Sequence, residues 1–213
     1  MIIRLTLIFL LSFSLTACWA SEKVIHWKQE VKLQDRRIII VDRISTEIGP
    51  GFPEHVTLET SQILSFSNPN TQEKITWKIP KGLLPYSLAF DKNIPYLVLK
   101  AYTVADYNNW NCPNPPYMVY RYENKKWSAI PFNQLPEKIT SRNLVDMSSS
   151  LKPYSEDNFM SLNEVEAWLN DVQEWRRKEY RTISRRLVSS IAEGCFGSTL
   201  YKLGRESEIN YRR

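Results

Sequence analysis

The chain has 213 residues, with 43% hydrophobic and 12% aromatic side chains and 28 Lys and Arg against 23 Asp and Glu, a formal net charge of +5. That balance excludes a disordered or collagen-like chain, and six glycines with twelve prolines exclude a low-complexity linker. The length suits one domain, and two histidines with three cysteines leave little for a metal centre.

Residues 1–20 read MIIRLTLIFLLSFSLTACWA. Arg4 is a short positive start, residues 5–15 are an apolar run, and small residues follow at Thr16 and Ala17. This is the order of a secretory leader, and the run is shorter than the roughly 20 apolar residues a spanning helix needs. Leu15-Thr16-Ala17-Cys18 resembles the lipobox of bacterial lipoproteins. The resemblance covers those four residues and the run before them. It implies cleavage just before Cys18, a lipid on its sulfur, and a membrane anchor facing the periplasm. A simple leader ending at Ala20 is the alternative and implies a secreted or soluble periplasmic protein.

In either case Cys112 and Cys195 are the two cysteines left for pairing. In an oxidising compartment they are expected to form one disulfide, worth roughly 4 to 5 kcal/mol in the chain-entropy account. Two unpaired buried cysteines are the alternative.

The mature chain then reads as strands. Residues 24–33 partly alternate apolar and polar side chains, and Ile38-Ile39-Ile40-Val41 reads as a buried strand. IGPGFP at residues 48–53 is a turn, and residues 56–66 return to strand character before Ser67-Asn68-Pro69-Asn70. Residues 74–79 place Ile75, Trp77 and Ile79 on one face. Residues 84–90 and 96–102 flank an Asp91-Lys92-Asn93 turn, and Asn124-Lys125 signals a hairpin into Trp127. Residues 93–100 and 114–121 look alike, each with proline, tyrosine, three mostly apolar residues and a base, but two weak copies make no repeat fold. Cys112-Pro-Asn-Pro-Pro-Tyr, an apolar strand and a tryptophan are similar to a pattern in uncharacterised exported bacterial proteins. That likeness spans a tenth of the chain and implies no activity.

Residues 131–153 read as loop. From Ser161 the period changes: Val165, Trp168, Leu169, Val172 and Trp175 recur at helical spacing, with Ser161 or Asn163 as cap and Glu164 and Glu166 in the first turn. The expected fold is therefore α+β and mostly antiparallel β, a sheet meander as a sandwich or propeller-like fragment, with one C-terminal amphipathic helix at about residues 161–186. The expected organisation is a leader at 1–17, a lipidated tether at 18–22 and a single domain at 23–213.

No catalytic, metal or cofactor motif emerges. His26 and His55 lie on separate segments, and GxSxG, P-loop and GxGxxG patterns are absent. Arg176, Arg177, Lys178, Arg181, Arg185 and Arg186 form the densest charge cluster. In an exported protein such a cluster suits anionic lipid or an acidic protein rather than nucleic acid. It also fits a solvated helix face with Glu174 beside Lys178. Trp110, in a polar loop, is either a contact anchor or a cover for a Cys112 disulfide. Partner contact is thus expected at Trp110, Arg177, Lys178 and Arg181. The expected role is a non-catalytic envelope binding module, with an immunity or inhibitor lipoprotein as its narrower form. A hydrolase with a site assembled from scattered residues and a structural subunit of an envelope complex are the alternatives.

Overall fold

In a computed structural model, residues 21–49, 58–145, 158–170 and 181–185 are described. They form an α+β fold dominated by two antiparallel sheets.

The first sheet contains β1 (Ser21–Lys32), β2 (Ile38–Gly49), β3 (Leu58–Ser67) and β4 (Lys74–Ile79). They run in the order β4-β3-β2-β1, and β9 (Phe159–Met160) adds a short parallel edge on β1. The second sheet is a meander of β5 (Leu83–Asp91), β6 (Ile94–Ala101), β7 (Met118–Glu123) and β8 (Lys126–Ile130). Its hairpins turn where the sequence signals them. Lys92 and Asn93 have φ of 47° and 69°, and Asn124 and Lys125 have 50° and 59°. Paired left-handed residues match the natural twist of the strands they join. The two look-alike segments are β6 and β7, which pair antiparallel with Leu97 opposite Tyr120.

One apolar cluster joins the sheets. Val31, Val41, Leu64, Phe66 and Ile75 come from the first, and Leu88, Phe90, Leu97, Leu99 and Trp127 from the second. Phe66 meets Phe90 edge-on at 5.9 Å, and Trp77 stacks on Trp127 at 5.1 Å. Trp77 thus faces inward with Ile75 and Ile79, as the alternation of β4 predicts.

Two expectations need correction. The Ile38–Val41 run is a strand but not a buried one: Val41 is buried while Ile38 and Ile40 are half exposed, at 50% and 54%. Residues alternate across a pleat, so only one of two neighbours can face inward. The inner positions of β2 are Val41, Arg43, Ser45 and Glu47, three of them polar. Second, the stretch around Tyr107 is no plain loop but a short helix, α1 (Val104–Asn109). Thr103 caps it, and Asp106 answers with a capping box. Gly82 (φ 79°) makes room, since a Cβ there would stand 2.3 Å from Asp106 Oδ1. Residues 131–145 lack regular structure beyond a 3₁₀ turn at Phe132–Gln134, as expected of a loop, and Leu135, Ile139, Leu144 and Val145 within it are buried. The C-terminal helix, α2, is described over Leu162–Asn170; residues 171–180 lie outside the described residues, and Arg181 is again helical. Thr182 forms an antiparallel bridge with Ser141, and Ile183 is buried against the second sheet. Val172 and Trp175 lie outside the described residues, as does the turn at residues 50–53.

Residues 139–145 run between the two sheets, and Asn143 is the joint. Its Nδ2 donates to the carbonyls of Lys32 at 3.0 Å and Leu88 at 2.8 Å, and its Oδ1 accepts the Leu88 amide at 2.9 Å. Leu88 lies on β5, the edge of its sheet, where those backbone groups have no strand neighbour. Gln29 completes the stitch: its Nε2 donates to the Asn143 carbonyl and its Oε1 accepts the Val145 amide.

Candidate functional site

A cleft of about 360 Å³ opens where β1 ends, between that hairpin tip, residues 138–143 and one face of α2. Its size falls in the range of ligand pockets, roughly 300–1,000 Å³. Lys32, Arg36, Lys138, Arg142 and Arg181 line it, with Glu166 as the only carboxylate among its described lining residues.

Each cation is placed by a separate local cause. Lys32 is the last residue of β1 and points to the outer side of the pleat, exposed. Arg36 occupies the left-handed position of the β1–β2 turn (φ 70°), which throws its side chain clear of the sheet. That turn closes through Leu33 N–H to Arg37 C=O at 2.8 Å. It is braced by Asp35, whose carboxylate accepts from the Arg37 amide and guanidinium. The Arg37 hydrogen bond holds the Asp35 carboxyl below its ordinary value. Lys138 pairs with Asp91 at 2.6 Å, and Arg181 bonds Glu166 and Asn170 of α2. Arg142 forms the floor, buried to 8% exposure. Its guanidinium lies 5.0 Å from the Tyr86 ring and 4.8 Å from that of Trp168, and its Nε donates to the Leu144 carbonyl at 2.9 Å. Two aromatic faces lie against the cation.

The helix wall is fixed at its first turn. Ser161 caps α2, its hydroxyl and amide both donating to Glu164 Oε2 at 2.6 and 2.7 Å. Those two bonds hold the Glu164 carboxyl below its ordinary value. Leu162 N–H reaches across to Glu30 Oε2 of β1 at 2.7 Å. Val165 and Leu169 are buried with Trp27 and Met160 beneath, so the helix stripe packs on β1 as its spacing predicts. Behind the opposite wall, the Tyr86 and Tyr117 hydroxyls donate to the Thr182 carbonyl, and Ile183 N–H donates to Thr140 C=O at 2.7 Å. These bonds bring Arg181 to the cleft.

Two of the expected contact residues, Trp110 and Arg181, are described. Arg181 lines the cleft, while Arg177 and Lys178 lie outside the described residues. Trp110 is half-buried against the main core and donates from its indole N–H to the Lys81 carbonyl at 3.3 Å. Cys112 is buried beside Ala101 and Tyr107, and its Sγ lies 3.5 Å from Asn108 Oδ1. Cys18, Cys195 and His55 lie outside the described residues. His26 sits on the outer face of the first sheet, 2.5 Å from Asp42 and exposed. Among the described residues no helix is long and apolar enough to cross a membrane, and no group of His, Cys, Asp and Glu is arranged as a metal site. Lys32, Arg36 and Arg142, which sequence reading did not single out, come together only because the joint at Asn143 folds residues 138–143 against the end of β1.

Fold and site together define a two-sheet α+β domain with a cationic cleft at one end. The chain matches no protein-family model, no curated protein and no solved structure.

The Glu164 cap gives a pH signature. A carboxyl held below its unfolded value of about 4.5 adds stability that is full above that pH and is lost as pH falls below it. Glu164→Gln is expected to lower stability by about 1 kcal/mol at pH 7. In urea melts at successive pH values, its gap from the parent closes below pH 4. A gap constant down to pH 3 contradicts the assignment.

Proposed function

We propose that the chain is an exported bacterial lipoprotein, anchored through Cys18 in the envelope, that acts as a non-catalytic binding module. The observation that carries this reading is the leader of residues 1–17 with Leu15-Thr16-Ala17 before Cys18. Two residues separate that cysteine from Ser21, where β1 begins, so a lipid there tethers the domain closely. The cleft supports the binding role: its cations, hydroxyls, amide and aliphatic wall suit holding an anion. An immunity or inhibitor protein, which blocks a partner by occupying it, is the narrower form of this reading.

Two expected outcomes follow. Cys18→Ser removes the lipid acceptor, so labelled fatty acid no longer enters the protein and the protein leaves the membrane fraction; continued labelling contradicts the anchor. The Cys112–Cys195 disulfide belongs to the same reading, since an oxidising compartment favours it. A non-reducing digest of native protein is expected to yield the linked peptide, and two alkylatable thiols contradict it.

A further inference from the structure

We infer that the cleft takes an acidic polypeptide segment of a partner protein, held through separate carboxylates. This rests on the binding role proposed above and names its ligand.

Charge is the first argument. Five cations face the cleft, and the described carboxylates that meet them are Glu166, on Arg181, and Asp91, on Lys138. Lys32 and Arg36 form no ion pair with a described residue, and both are exposed at the mouth. Arg142 holds the floor between two rings. Positive charge therefore exceeds negative at the mouth, where Lys32 and Arg36 stand and an incoming anion would pass.

The arrangement favours single charges spread along a chain over one compact dianion. The cations come from the end of β1, the β1–β2 turn, residues 138–142 and residue 181, and so surround the cleft. Two of them already hold a carboxylate from the protein itself, which is the chemistry an acidic segment repeats. Arginine forks match carboxylates, and the exposed Arg36 fork stands at the mouth. The aliphatic wall from Leu162 beside the cations suits a side-chain-bearing chain.

Position argues against the anchoring bilayer as ligand. With two residues between Cys18 and Ser21, the start of β1 stays within about 11 Å of the anchor. The cleft lies at the opposite end of that 12-residue strand, about 36 Å away. It is thus presented at the far end from the lipid.

The test uses the full chain carrying Cys18→Ser, so that the outcome does not depend on lipidation. A fluorescent hexaglutamate peptide is titrated by anisotropy against this protein and against the same chain with Lys32→Glu and Arg36→Glu, both exposed at the turn. The parent is expected to bind with an affinity that falls as salt rises, and the double variant to bind at least tenfold more weakly with an unchanged melting curve. Neither inorganic phosphate nor phosphatidylglycerol vesicles at matched charge should displace the peptide. Equal binding by the variant, no binding by the parent up to millimolar peptide, or displacement by phosphate or vesicles overturns the inference. If Cys18 proves unlipidated while the peptide result holds, the anchor fails and the cleft assignment stands.

Discussion

The side-chain amide of Asn143 joins the rims of two sheets into one body. Two sheets packed face to face still leave open rims, and a buried rim group without a partner costs about 1–3 kcal/mol. Here β5 offers the N–H and C=O of Leu88, and β1 offers the C=O of Lys32. An asparagine amide has two donors and two acceptor lone pairs, enough to serve all three at once. No other residue type carries that complement on so short a stem except glutamine, whose extra methylene would move the amide away. The irregular chain from 139 to 145 is therefore a structural member. Val145 N–H and the Asn143 C=O are in turn satisfied by Gln29, and Ser87 Oγ donates to the Ser141 carbonyl at 2.7 Å.

The same logic explains the polar half of the first sheet's inner face. Arg43 is fully buried, directly opposite Trp27 on one side and Leu64 on the other. Its guanidinium donates to the Val145 carbonyl at 2.9 Å and to Gln62 Oε1 at 2.5 Å, and lies 4.8 Å from the Trp27 ring. A buried charge is tolerated when it is hydrogen-bonded, and two of the groups that Arg43 donates to come from the strand beside it and from the end of the 139–145 segment. Apolar packing between Phe66, Phe90, Trp77 and Trp127 joins the sheets at one end. Polar side chains join them to the linking chain at the other.

This division decides what was legible in the sequence. The eight longer strands announce themselves through alternation and turn residues, and the helix stripe at Val165, Trp168 and Leu169 announces its own period. The faces of β2 do not, because its outward residues Ile38 and Ile40 are more apolar than its inward Arg43, Ser45 and Glu47. Local pattern reads the hydrophobic side as buried, and long-range hydrogen bonds reverse it. Residues 131–145 carry no period at all, so their burial is invisible until the strands they bridge are in place. The cleft inherits that blindness: Lys32 and Arg36 share one hairpin, but Arg142 joins them only through contacts that span more than a hundred residues. The charge cluster around residue 177 was the loudest signal, and among the described residues Arg181 brings it to the cleft.

Site and joint are consequently one construction. Arg142 and Asn143 are neighbours, one facing Tyr86 and Trp168, the other fastening β1 to β5, so the cationic floor is only as firm as the stitch beneath it. Native-state hydrogen exchange at the Leu88 amide in Asn143→Ala measures that stitch directly. The account predicts loss of protection at Leu88 with a fall in global stability of about 3 kcal/mol, whereas unchanged Leu88 protection at parental stability would contradict it.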